Sequence, residues 1–401
     1  MENRLKHIEK TWRWFGATDS IRLEEIRSIG VEGIVTALHH IPNGEVWPAE
    51  EIDSLRKEIE SHGMHWTVVE SLPIHEEIKW GGPRRDELVL NYIRSLENLA
   101  ACGLKTVVYN FMPVIDWIRT DLHHRLPDGS EVLYFRRIDF VVFDLFILER
   151  EGAATEYPPE VRDEARRRYQ ALGPDGAAAL VDTVIIRTQG FIDGISASRP
   201  DEAVALFRER LAPYRDMDPD RLFGHLRHFL EAVLPVAERL GIRLAIHADD
   251  PPGPVLGLPR IVGNETDLER LFRELPSPAN GLTFCAGSFS ADPRNDVTRL
   301  VRRFADRIGF IHLRSTRTLG NGDFYEAGHL EGNVDMPALV KAILEEVRRR
   351  GPDVRLPMRV DHGARILSDF QRDHHPGYPL LGRMKALAEM SGLIAGLERE
   401  F

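Results

Sequence analysis

Eight short apolar runs, parted by helical patterning or by one longer irregular stretch, constrain this chain more than any other feature. They lie at 12–16 (WRWFG), 31–38 (VEGIVTAL), 65–71 (HWTVVES), 106–112 (TVVYNFM), 242–248 (IRLAIHA), 281–287 (GLTFCAG), 309–314 (GFIHLR) and 356–361 (LPMRVD). Each is short and rich in β-branched or aromatic residues, as buried parallel strands are. Between them, 49–62, 84–102 and 226–240 carry apolar residues at helical spacing, and 379–399 reads as a last helix with Leu380, Met384, Leu387 and Ala388 on one side. Alternation of this kind predicts an α/β fold, a closed (β/α)8 barrel rather than an open doubly wound sheet. No G-x-G-x-x-G run follows a strand into a helix and no Walker A run occurs, so dinucleotide and nucleotide chemistry have no support.

The interval between the fourth and fifth strands is too long for a simple crossover. Within it, 131–148 reads as a strand followed by a helix, and 159–172 as a solvated helix. The span of about 118–222 is therefore expected to be an insertion on the barrel, a lid or an oligomer arm, with a separate second domain as the alternative. With 401 residues, the chain can bury a large core without covalent staples, and two cysteines build no disulfide framework. A net charge of -11 disfavours nucleic acid as a partner. No apolar run approaches the roughly 20 residues of a membrane span, and the N-terminus lacks a secretory pattern. The expectation is a soluble, cytoplasmic protein.

The chemistry gathers where the last four runs end. His247, Cys285, His312 and Asp361 each follow apolar strand residues. The carboxyl ends of barrel strands converge on one mouth, so two imidazoles, a thiolate and a carboxylate can meet around one divalent cation. Carboxylate and imidazole suit Mn²⁺ or Fe²⁺, and the thiolate pulls toward Fe²⁺ or Zn²⁺. A structural zinc fits less well, since no C-x2-C knuckle exists. Taken singly, each of these residues is more simply a packed or hydrogen-bonded core residue; four at corresponding strand ends are not. His362, next to the carboxylate, is a candidate acid or base, with orientation of Asp361 as its plainer role. Tyr378, on a Pro-Gly turn, either reaches a leaving hydroxyl or packs the turn. Arg314, two residues past His312, either holds a substrate carboxylate or pairs with structural acids. His39 and His40 after the second run, Glu70 after the third, and Tyr109 and Asn110 after the fourth suit a hydroxyl-rich ligand. The pairs His123–His124 and His374–His375 read as solvated.

Several segments resemble mannonate dehydratases, enzymes of hexuronate degradation: TWRWFG (11–16), TALHHIPNGEVW (36–47), YNFMPVIDW (109–117), IHADDPP (246–252), CAGSFS (285–290), HLRS (312–315), GHLEGNVDM (328–336), MRVDHG (358–363) and PGYPLLGRMKALAE (376–389). The likeness runs from the first strand to the final helix in the family's order. It implies a xylose-isomerase-like (β/α)8 barrel that converts D-mannonate to 2-keto-3-deoxy-D-gluconate with Mn²⁺ or Fe²⁺. It also implies His247, Cys285, His312 and Asp361 as ligands, His362 and Tyr378 as acid-base residues, and a homo-oligomer, dimer or higher. Ala286 departs from the Thr common in the motif. The competing expectation is a sugar isomerase or epimerase on the same barrel, for which a carboxylate-rich, often two-metal site is the norm. An endonuclease-like barrel would need a basic groove, and a non-catalytic sugar-acid binder would form no product.

Overall fold

The computed structural model describes residues 5–189 and 199–400. All eight apolar runs contain strands: β1 (Ile8–Arg13), β2 (Gly33–Thr36), β3 (His65–Glu70) and β4 (Thr106–Tyr109), then, beyond a hairpin of β5 (Asp121–Arg125) and β6 (Glu131–Phe135), β7 (Arg243–His247), β8 (Asn280–Cys285) and β9 (Ile308–His312). Two short strands, β10 (Thr316–Thr318) and β11 (Phe324–Glu326), precede the last, β12 (Leu356–Arg359). The barrel closes in the order β1-β12-β9-β8-β7-β4-β3-β2, with every neighbouring pair parallel. Helices cross between the strands. One of them, Pro219–Leu240, buries Leu222, Leu226, Phe229, Leu230, Val233 and Ala237 and stops at Gly241, whose φ of 65° suits the left-handed cap.

Val35, Val68, Val108, Ala245 and Phe310 form a separate apolar cluster, supplied by five barrel strands. Side chains alternate with period two along a strand, so the residues two positions onward stand on the same side of the sheet, nearer the carboxyl ends. From Val68, Val108, Ala245 and Phe310 those residues are Glu70, Asn110, His247 and His312. Register brings in two more, because His312 lies opposite Cys285 on one side and Arg359 on the other. A dry layer with a polar layer above it is thus a consequence of strand periodicity.

Two expectations need correction. The first strand begins at Ile8, before the run at 12–16. Its start was hidden by His7, Glu9 and Lys10, which are buried although polar. Glu9 accepts from Thr67 at 2.5 Å and pairs with His65 at 2.7 Å, so charge in this strand is matched by its surroundings. In the last helix, Leu380–Leu397, the buried face carries Arg383, Ala386, Leu387, Met390 and Ile394, and Met384 is exposed. Arg383 wins that face because its guanidinium lies 3.8 Å over the Trp12 ring.

In the span 118–222, residues 190–198 lie outside the described residues. The β5–β6 hairpin joins β11 and β10 in a four-stranded antiparallel sheet, order β10-β11-β6-β5. Helix Arg137–Val142 runs into a π-turn, Phe143–Ile147. Helix Pro159–Val181, kinked at Gly173, runs into a second, Asp182–Ile186, which delivers Arg187, Thr188 and Gln189 to the barrel mouth. The helix leading into β7 already starts at Pro219, inside the span. Among the described residues, no helix is long and apolar enough to cross a membrane.

The segment ahead of Tyr378 is tied to the helix Leu23–Ser28, because Arg372 donates to both carboxylate oxygens of Glu25 at 2.9 and 2.7 Å. Those bonds outweigh burial and hold the Glu25 carboxyl down to about 2, from an ordinary 4.5. A depressed carboxyl stabilises the fold above its unfolded-state value and loses that contribution on acidification. Glu25→Gln is therefore expected to lower stability by about 1–2 kcal/mol at neutral pH. Unfolding curves at a series of pH values should show the gap to wild type level above about pH 5 and closing as the pH drops toward 2; a gap that widened in acid would refute the pairing.

Candidate metal centre and active site

The strand ends bring His247, Cys285 and His312 together, with one donor atom of each within 4.8 Å of the others. Cys285 and His312 are wholly buried, and His247 borders open space. Asp361 joins them: its Oδ2 lies 3.8 Å from both the Cys285 Sγ and the His312 Nδ1. Its backbone sits at a φ of 63°, a left-handed conformation uncommon outside glycine and frequent at functional sites.

The imidazole orientations follow from their outer partners. His247 donates its Nδ1–H to the Ala248 carbonyl at 2.6 Å, which leaves Nε2 with a bare lone pair. His312 accepts the Arg359 Nε–H on its Nε2 at 3.0 Å, with Glu70 Oε1 farther off at 3.4 Å, and turns its Nδ1 toward the cluster. These two nitrogens face one another at 3.3 Å. Two imidazole nitrogens brought this close, flanked by a thiol sulfur and a carboxylate oxygen, make a donor set that fits a cation. A mixed N, S and O set of this size fits a single divalent transition metal. The four residues of the strand-end expectation are thus the ones placed to hold it.

Around them runs a lattice of buried ion pairs. Arg359 donates to Asp361 Oδ1 at 2.5 Å, to Glu70 at 3.0 Å and to the Tyr378 hydroxyl at 3.2 Å. Arg314 donates to Asp361 Oδ2 and to Asp250 Oδ2, each at 2.7 Å, and its Nε stands 3.2 Å from Glu326. Arg119, completely buried, donates to Asp250 at 2.8 Å and to Glu326 at 2.6 Å. Burial pushes these carboxyls up, but the arginines outweigh it: Asp361, Asp250 and Glu70 lie well below the ordinary carboxylate range and Glu326 is drawn down to about 2. Gly287 makes room for this lattice, since a Cβ there would come within 2.0 Å of the Arg314 Nε.

His362 and Tyr378 stand beside the cluster with their rings edge-to-face, 5.1 Å between centroids. His362 turns its Nδ1 to Glu326 at 3.1 Å and to the Arg314 Nη1 at 3.2 Å, and its Nε2 makes no hydrogen bond within the described residues. The Tyr378 hydroxyl donates to Asp361 Oδ1 at 3.1 Å. Burial raises the phenol above its ordinary 10, which keeps it protonated. The Pro-Gly turn before Tyr378 needs its glycine twice over: Gly377 has a φ of 81°, and a Cβ would meet His362 at 2.9 Å.

A cavity of about 470 Å³ opens onto these groups. Asn110 lines it, donating its amide to Asp116 at 3.0 Å. His39 stands exposed on the rim. His40 does not line the cavity; its ring pairs with Glu51. For Arg314 the pairing with acids is the role the geometry fills, because its guanidinium is already occupied by three carboxylates. The reading of the histidine pairs as solvated holds in part. His375 lines the cavity and stacks on Phe15, 3.8 Å between centroids, while His123 and His374 border a smaller cavity of about 230 Å³. Sequence reasoning passed over Asp250, Glu326, Arg119, Arg359, Asp116 and Arg187. Arg359 had a signal, two residues before Asp361 in the same apolar run; Glu326 ends a three-residue strand and Arg119 sits in a loop, neither with a periodic pattern.

The comparisons agree with this architecture. A family model described as D-mannonate dehydratase (UxuA) matches residues 8–401. Mannonate dehydratase of Chromohalobacter salexigens is 48% identical over 395 residues, 98% of this chain and 99% of the relative. The enzyme of the same name from a Marinomonas species is 48% identical over 396 residues, with the same coverage. The crystal structure of mannonate dehydratase from Streptococcus suis superposes with a TM-score of 0.75 at 35% identity, covering 98% of this chain and 95% of that one. A xylose isomerase domain protein from Planctomyces limnophilus, 11% identical with a TM-score of 0.51, shares the fold alone. A barrel whose mouth gathers these residues, matched along nearly its whole length by such relatives, belongs to the D-mannonate dehydratase family.

Proposed function

We propose that the protein is a metal-dependent hydro-lyase that converts D-mannonate to 2-keto-3-deoxy-D-gluconate and water, a step of hexuronate breakdown. The observation that carries the reading is the meeting of two imidazole nitrogens, a thiol and a gripped carboxylate at one mouth, with the His362 imidazole and a protonated phenol next to them. His247, Cys285, His312 and Asp361 are the residues that would hold Mn²⁺ or Fe²⁺. When bound, such an ion supplies positive charge against the negative charge that builds on the carboxylate end of the substrate in the transition state.

Elimination requires a proton to leave C2 and hydroxide to leave C3 as water. His362 Nε2, which is left without a protein hydrogen-bond partner, takes the C2 proton. Tyr378 gives its hydroxyl proton to the departing C3 oxygen, and Arg359, 3.2 Å away, steadies the phenolate left behind. The enol formed between C2 and C3 then tautomerises to the 2-keto acid. Asp361 holds the Tyr378 hydroxyl in place, and the Arg359 Nε–H holds the His312 ring through Nε2, so that Nδ1 faces the cluster.

Metal content and turnover should fall together in Cys285→Ser and His247→Ala, with activity on D-mannonate down at least about 100-fold. Elemental analysis paired with a keto-acid assay reads both, and full activity after exhaustive chelation would sink the mechanism. His362→Asn makes the complementary case. It is expected to keep its metal while kcat drops about 10²–10⁴-fold, so a variant turning over at near the wild-type rate would remove His362 from the proton traffic.

A further inference from the structure

The charged side chains facing the cavity are almost all neutralised by a neighbour. Glu70 is met by Arg13 and Arg359, Asp250 by Arg119 and Arg314, and Asp361 by Arg314 and Arg359. Among the described residues, two are not. Asp116 makes no ion pair, and its carboxylate accepts one bond from protein, the 3.0 Å contact from Asn110. Arg187 is exposed, and its guanidinium meets no acid. It also borders the smaller cavity of about 230 Å³.

Neither residue belongs to a barrel strand. Asp116 follows β4 and Arg187 follows the second π-turn of the insertion. One buried amide locks the two segments together: Gln189 accepts the Asp116 backbone N–H at 3.1 Å and donates to the Trp117 carbonyl at 2.7 Å. An unpaired cation and an unpaired acceptor are thereby set on one wall, opposite in charge and fixed in their backbone spacing.

We infer that this wall selects the substrate, with Arg187 favouring a carboxylate over an uncharged group and Asp116 accepting from substrate hydroxyls. The inference rests on the sugar-acid reading above and adds the residues that discriminate. A polyhydroxylated monoanion satisfies both groups, whereas a neutral polyol leaves Arg187 unmatched and a plain fatty acid leaves Asp116 without donors. Gln189 acts as a positioning residue for both.

The test is calorimetric titration of the Mn²⁺-loaded full chain with three probes: D-gluconate, its neutral alditol D-sorbitol, and hexanoate. Wild type should prefer gluconate to both others. Arg187→Met should cut the gluconate-over-sorbitol preference about tenfold, with Arg187→Lys restoring part of it. Asp116→Asn should weaken gluconate about tenfold while leaving hexanoate in place. Variants that keep both preferences, in a wild type that makes keto acid from D-mannonate, overturn the inference alone. Arg187-dependent preference for gluconate in a wild type that makes no keto acid overturns the dehydratase reading and leaves the selecting wall standing.

Discussion

Asp361 is the point at which the site is held together. Its Oδ1 takes Arg359 and Tyr378, and its Oδ2 takes Arg314 while facing Cys285 and His312. Two arginines therefore fix one carboxylate, and each carries a second acid of the site. Arg359 also donates directly to His312 Nε2 at 3.0 Å, and through Glu326 Arg314 stands behind His362. Buried ion pairs are costly to desolvate and add little net stability, so a lattice of this kind is better understood as placement. Ligand atoms and proton-carrying atoms are positioned by the same two guanidinium groups, and the left-handed backbone of Asp361 persists because both faces of its carboxylate are gripped.

The legible part of this site was the part written in period two. Ala245 and His247, or Phe310 and His312, belong to one face of one strand, so an apolar run ending in a ligand type reveals both burial and position. Arg359 obeys the same rule and was readable on the same ground. Glu326 and Arg119 were not, because each reaches the mouth from a short strand or loop whose neighbours carry no periodic pattern, and only the folded chain brings them within 2.6 Å. The first strand failed for a different reason: Glu9 and Lys10 look like surface residues, yet both are buried. In the last helix, periodicity admitted two faces, and the contact between Arg383 and Trp12 selected the one that a hydrophobic count would reject.

The insertion is stitched to the barrel at several levels. Its hairpin shares a sheet with β10 and β11, the Tyr134 hydroxyl donates to Asp323 at 2.8 Å, and Tyr214 donates to Glu76 at 2.6 Å. Arg119, just past the start of the inserted span, is clamped by Asp250 from the loop after β7 and by Glu326 from β11. A segment bound by buried charge at its entry and by Gln189 near its middle shapes the cavity as firmly as a barrel strand does. That accounts for a cavity-lining group such as Arg187 lying on it.

Charge explains why such a cavity should take a monoanion. Arg13, Arg119, Arg314 and Arg359 face Glu70, Asp250, Glu326 and Asp361, so the lattice is neutral. Asp116 and Arg187 cancel as well. On the proposed reading, a divalent ion and one thiolate then leave a single positive charge at the mouth. A neutral sugar would leave that charge uncompensated, and a dicarboxylate would overshoot it. A monocarboxylate balances it, and because burial lowers the local dielectric, the balance is felt more strongly there than it would be in solution.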